Sequence, residues 1–145
     1  MQASEESSPE KLEGTVLIAE DDRWLNTVLE ARCSKLGLTV VAVEDALTAL
    51  SSADFANPDL VILDVEMPGG NGLAACEMIR TAPETENIPV VILTGRSDAD
   101  TIQRCRNLNA HYVQKGTDAW PQIELIIRKE IPSNCYAGPG FPRAR

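Results

Sequence analysis

Six side chains with chemistry to offer stand where apolar runs give way to loops. Glu20, Asp21 and Asp22 follow TVLIA (15–19), Asp64 ends DLVILD (59–64), Thr94 closes PVVILT, and Lys115 closes HYVQK (111–115). Each alone has an ordinary role: Asp22 is expected to cap the helix that follows it, a threonine can simply end a strand, and a lysine can sit on a solvated edge. Together they describe a crevice. At about 4 Å and an effective dielectric of about 20, two carboxylates repel by roughly 4 kcal/mol. Three acids stay ionised side by side only if a cation joins them; otherwise a pKa must rise. Magnesium suits such a site, since it takes oxygen ligands, uses one or two carboxylates and completes its shell with water or phosphate oxygen. Asp64 could then act as a nucleophile toward phosphorus, with Lys115 neutralising phosphoryl charge and the Thr94 hydroxyl bonding another of its oxygens.

The elements that would position these groups alternate in period. TVLIA is a β-rich run. RWLNTVLEARCSKLG (23–37) places Trp24, Leu25, Val28, Leu29, Arg32 and Leu36 at helical spacing and stops at Gly37. A second strand, LTVVAVE (38–44), leads to Asp45, the expected cap of a helix whose Leu47 and Leu50 share a face. After the third strand, LDVEMPGGNG (63–72) must be an irregular loop, because Pro68 lacks an amide donor and the glycines favour unusual dihedrals. Helices are expected over 72–82, 98–109 and 119–131, strands over 89–95 and 111–115; Pro121 suits the last helix only in its first turn, and Asp98 and Asp100 suit the start of the fourth. Strand and helix in alternation predict an α/β fold, a doubly wound five-stranded parallel sheet with helices on both faces and strands apolar throughout. Ligands of such sheets bind beyond the carboxyl ends of the strands, where the six side chains lie. The domain is expected over 15–131, between a flexible tail (1–14) and an irregular one (132–145).

With 145 residues and 43% hydrophobic content, one globular domain is expected. The net charge of -9 argues against nucleic acid and anionic membranes as partners, and no apolar run approaches a membrane span. The acidic N-terminus is the reverse of a signal peptide, so a cytoplasmic location is expected. Cys33, Cys76, Cys105 and Cys135 show no metal-ligand spacing and read as small core or boundary residues in a reducing compartment. His111, the one histidine, gives a zinc site or a serine triad little to build on.

The motifs LIAEDD, LDVEMPGGNG, VVILTG and HYVQK, in that order at the strand ends, resemble the receiver domain of bacterial two-component response regulators over Thr15–Ile131. The resemblance implies a flavodoxin-like receiver fold with strand order 2-1-3-4-5. It implies Asp64 as phosphoacceptor and Mg2+ held by Glu20, Asp21, Asp64 and the backbone carbonyl of Glu66. It makes Thr94 the switch hydroxyl, Tyr112 the switch aromatic and Lys115 the site lysine, with the small Gly95 leaving room for a phosphodonor. The implied donor is a phosphohistidine on a sensor histidine kinase or histidine phosphotransfer protein. The implied output is a target protein binding the face of helix four, strand five and helix five. Such a chain is a signalling phosphoacceptor, not an enzyme beyond self-phosphorylation and autodephosphorylation, and here a stand-alone receiver is expected.

Two positions depart from the family pattern. Glu20 replaces the commoner aspartate, and Gly116 stands where proline is usual. A cis bond costs about 2.5–4 kcal/mol before glycine against about 0.5–1 before proline, so a trans Lys115–Gly116 bond and a reshaped loop are expected. Glu66 and Arg96 flank the mouth either as a gate on phosphate lifetime or as two solvated residues, and the second is expected. A haloacid-dehalogenase-type phosphatase would want aspartate at position 66, and a flavodoxin-like cofactor binder would want a phosphate-cradling loop where EDDRW stands. The remaining alternative is a pseudo-receiver, an interaction module that works without phosphorylation.

Overall fold

The structure is a computed structural model and describes residues 11–68 and 70–131. The expectations for the outer part of the N-terminal tail and for the C-terminal tail, with Cys135, Tyr136 and Phe141, lie outside those residues.

The elements run β1 (Thr15–Ala19), α1 (Arg23–Lys35), β2 (Thr39–Val43), α2 (Ala46–Ala56), β3 (Leu60–Asp64), a small antiparallel pair β4 (Glu66–Met67) and β5 (Gly70–Asn71), α3 (Gly72–Thr81), β6 (Val90–Thr94), α4 (Ala99–Asn107), β7 (His111–Gln114) and α5 (Ala119–Glu130). The five long strands are parallel in the order β2-β1-β3-β6-β7, the expected 2-1-3-4-5. Register aligns Ala19 with Leu63 and Asp64 with Leu93, which sets the carboxyl ends of the central strands level.

Alternation along the strands feeds two cores. Leu17, Ala19, Val61, Leu63 and Ile92 pack under α2, α3 and α4; Val16, Ile18, Leu60, Ile62 and Leu93 pack under α1 and α5. The central strands β3 and β6 are buried throughout, whereas β2 and β7, as edges, are only half-buried; the expectation of uniformly apolar, covered strands holds for the middle of the sheet alone.

Caps start the helices where expected. Asp22, Asp45 and Asp98 accept from the backbone N–H of Leu25, Thr48 and Thr101 at 3.2, 2.7 and 3.0 Å, and Asn71 caps α3 through Leu73 N–H at 2.6 Å. Asp100 lies in the first turn of α4, and Pro121 falls in the first turn of α5. Cys33, Cys76 and Cys105 are buried free thiols.

Four local expectations are corrected. The segment after β3, expected to be irregular, carries the antiparallel pair β4–β5, in which Glu66 faces Asn71 and Met67 faces Gly70 on either side of the turn. Leu12, assigned to the tail, is buried to 3% exposure, and its N–H donates to Leu36 O at 2.8 Å. It is held there by Gly37, whose φ of +102° and missing Cβ admit the Leu12 carbonyl, which a Cβ would meet at 2.7 Å. On α2 the buried face is Ala46, Ala49 and Ala53, while Leu47 is 69% exposed and Leu50 packs half-buried at the edge of the core; the expected shared face of the two leucines is split, because the small alanines take the inward position. On α1 the inward stripe is Asn26, Leu29 and Cys33, and Trp24 is 74% exposed. A hydrophobic count misses Asn26, which is polar yet faces the sheet because its amide finds carbonyl partners there.

Candidate functional site

β1 delivers Glu20 and Asp21, β3 delivers Asp64, β6 delivers Thr94, and the residue after β7 is Lys115. Glu20, Asp21 and Asp64 each present a carboxylate oxygen within 4.8 Å of the others. Glu20 and Asp64 are buried and Asp21 is exposed. Lys115 Nζ lies 3.1 Å from Glu20 Oε1 and 3.2 Å from Asp64 Oδ2, so it bridges the first and third strand ends. Its own N–H donates to Thr94 O at 2.8 Å, which continues the β6–β7 ladder one residue past the strand.

The electrostatics are unbalanced. Three acids share one lysine. Burial pushes the Glu20 carboxyl up to about 7, the Asp22 N–H on Oε2 at 3.1 Å works against that, the charge on Asp64 adds to it, and Lys115 opposes it. For Lys115 burial disfavours the charge, but hydrogen bonding and attraction from Glu20 and Asp64 outweigh it and raise its pKa. Both pKa values rise, whereas a pair governed by its own attraction would lower the acid. The lysine keeps its charge, and Glu20, at 1% exposure the deeper of the acids, carries the cost of desolvation.

Glu20 Oε1 makes no aligned hydrogen bond even though Nζ is close, the one such buried side-chain atom among the described residues. Three converging hard oxygens, two of them on buried carboxylates, and an excess of negative charge over the one lysine fit a divalent cation such as Mg2+.

The remaining expected residues surround this cluster. Glu66 N–H reaches toward Asp64 Oδ1 at 3.4 Å. Thr94 is buried, and its Oγ1 accepts from Arg96 N–H at 3.1 Å; Tyr112, half-buried, donates its hydroxyl proton to the Arg96 carbonyl. Thr94 and Tyr112 therefore hold opposite sides of one peptide segment. Arg96 lies 3.7 Å from Glu66 and 3.3 Å from Asp98, all three largely exposed; such a pair contributes about 0–1 kcal/mol. The Lys115–Gly116 bond is trans, as expected, and a Cβ on Gly95 would meet nothing within 4 Å.

Two residues escaped the sequence reading. Gly72 begins α3 directly against the end of β3: its N–H donates to Val65 O at 2.8 Å, and a Cβ there would stand 1.9 Å from Asp64 O. Asn26 donates from Nδ2 to Glu20 O at 2.8 Å and to Val43 O at 3.0 Å. For Gly72 a signal existed, a glycine at the head of an apolar helix directly after the loop; for Asn26 there was none.

Residues 16–121 match the response regulator receiver domain. The chain is 37% identical over 113 residues to the uncharacterized transcriptional regulatory protein YrkP of Bacillus subtilis, covering 78% of this chain and 46% of that protein. It is 30% identical over 116 residues to the DNA-binding transcriptional regulator NtrC of Escherichia coli, covering 79% and 24%. The chain thus spans less than half the length of these relatives. Among solved structures it resembles the BeF3-activated N-terminal receiver domain of Klebsiella pneumoniae RstA, with a TM-score of 0.71 and 25% identity over 80% of this chain and 97% of that one. Strand order, acidic crevice and sequence match agree, and the chain belongs to the response regulator receiver domain family.

Proposed function

We propose that Asp64 accepts a phosphoryl group from a phosphohistidine on a sensor histidine kinase or histidine phosphotransfer protein, and that the modification changes a protein-binding face made by α4, β7 and α5. The observation that carries this reading is the convergence of Asp64 with Glu20, Asp21 and Lys115 at the carboxyl ends of the sheet. In the transfer an Asp64 carboxylate oxygen attacks phosphorus, the P–N bond breaks, and its electron pair leaves with the imidazole nitrogen. Lys115 Nζ, 3.2 Å from Asp64, is placed to bind a phosphoryl oxygen. Glu20, Asp21, Asp64 and the Glu66 backbone carbonyl would hold Mg2+, which when bound supplies positive charge to offset the charge gathered on the transferring group.

The output follows from the Arg96 segment. If the Thr94 hydroxyl turns to a phosphoryl oxygen it releases Arg96 N–H, and the segment that also anchors Tyr112 is freed to move. A tenfold shift between two states needs about 1.4 kcal/mol of differential interaction, within reach of one or two charge-assisted hydrogen bonds. A protein partner suits a chain of net charge -9 better than nucleic acid, whose phosphates that charge repels. A cytoplasmic setting suits the buried free thiols; no helix among the described residues is long and apolar enough to cross a membrane.

Intact mass after incubation with a small acyl phosphate and Mg2+ tests the reading. One phosphoryl adduct is expected on the wild type and none on Asp64→Asn or in chelator. An unmodified wild type that also binds no Mg2+ would leave the interaction-module alternative in its place.

A further inference from the structure

The loop that carries two of the three acids has little to hold it. Past β1 the sheet offers Glu20 one ladder bond, from its N–H to Val43 O at 3.1 Å. Asp22 is committed to capping α1, and Asp21 is exposed. Asn26 closes the other side. It is buried on the inward stripe of α1, and both protons of its amide are used: one on Glu20 O, the other on the same Val43 carbonyl that Glu20 N–H already contacts. The Glu20 peptide is thereby fixed from both ends to the tip of β2 and to the first turns of α1.

We propose that Asn26 is a positioning residue for the cation site: it sets the backbone from which Glu20 and Asp21 meet Asp64, and so sets the affinity for a divalent cation. This rests on the reading that the crevice binds Mg2+. Three carboxylates gather around one ion only if their backbones are already in place, because ordering the loop on binding would subtract from affinity. The side chain types agree with this division of labour. A leucine at position 26 would fill the same space and bury more apolar area, yet would take the amide donor from the Glu20 carbonyl and leave Val43 O with Glu20 N–H alone. An asparagine there gives up hydrophobic burial on α1 and gains a fixed acidic loop.

The test is Mn2+ binding, followed as loss of the free-ion EPR signal, on wild type, Asn26→Leu, Asn26→Ser and Leu29→Ala, with urea unfolding of each. Leu29 is buried on the same helix but has no bond to the acidic loop; its truncation reports what loss of packing alone does. The expected result is a dissociation constant raised at least threefold in Asn26→Leu. Asn26→Ser is expected to weaken binding as well, because one hydroxyl proton cannot serve two carbonyls. Leu29→Ala is expected to stay within twofold of wild type although it is less stable. Wild-type affinity in both Asn26 variants, or an equal loss in Leu29→Ala, would overturn the positioning role while leaving the cation site intact. A wild type that binds no Mn2+ would overturn the cation reading and this inference with it.

Discussion

Gly72→Ala puts the packing behind Asp64 to the test. The Cβ of an alanine at this position would stand 1.9 Å from the Asp64 carbonyl oxygen and 2.8 Å from its carbon. Relief requires movement of more than an ångström between α3 and β3, and the obstacle is main chain in a fully buried strand, not a side chain that can rotate away. Gly72 N–H is also tied to Val65 O at 2.8 Å, so the helix cannot back off without losing that bond. Removing a helical glycine should help by about 1 kcal/mol, while overpacking of this kind costs about 1–3 kcal/mol or more. The clash dominates, because it is too close for local give. The expected outcome is a lower urea midpoint at unchanged slope, with loss of phosphoryl uptake because the strain falls on Asp64 itself. Gly95→Ala is the control: its Cβ would meet nothing within 4 Å, and surface changes of that kind stay within about 0.5 kcal/mol. A Gly72→Ala protein as stable as wild type would refute the reasoning, since it would show that α3 can shift freely against β3.

Leu12→Ala should destabilise by about 2–5 kcal/mol, as for other buried leucines, whereas a residue in a solvated tail would change nothing; chemical denaturation separates the two. Glu20→Gln tests the buried acid in metal-free buffer. The Glu20 carboxyl titrates at about 7 in the fold against its ordinary 4.5. Its stabilising effect is therefore full below about 4.5 and is lost as pH rises through about 7. The stability of Glu20→Gln relative to wild type should climb across that window and level off above it; a flat difference in thermal melts between pH 5 and 8 would show that Glu20 does not bear the cost of burial.

The residue pattern alone determined the order of the five sheet strands and the helices, the caps at Asp22, Asp45 and Asp98, and the set of groups at the strand ends, because each follows from local period or local hydrogen bonding; the short pair β4–β5 has no such period and was not legible. The cluster of Glu20, Asp64 and Lys115 was legible for the same reason: a parallel sheet gathers its carboxyl ends, so naming the strands named the crevice. What the strands could not say is which acid is buried, since that depends on the neighbours each meets: Glu20 turns under Lys115 while Asp21, the next residue, stays in solvent. Leu47 was misplaced and Asn26 passed over because amphipathic counting ranks side chains by polarity, and Leu12 was misplaced because its neighbours are polar and acidic; burial here was settled by size and by partners. Alanines let α2 lie close, two carbonyls made an inward asparagine acceptable, and Gly37 opened room for Leu12. Gly72 is the sharpest case: its lack of a side chain matters only because the carbonyl of Asp64 stands where one would be, a contact between separate elements that exists only once the chain is folded.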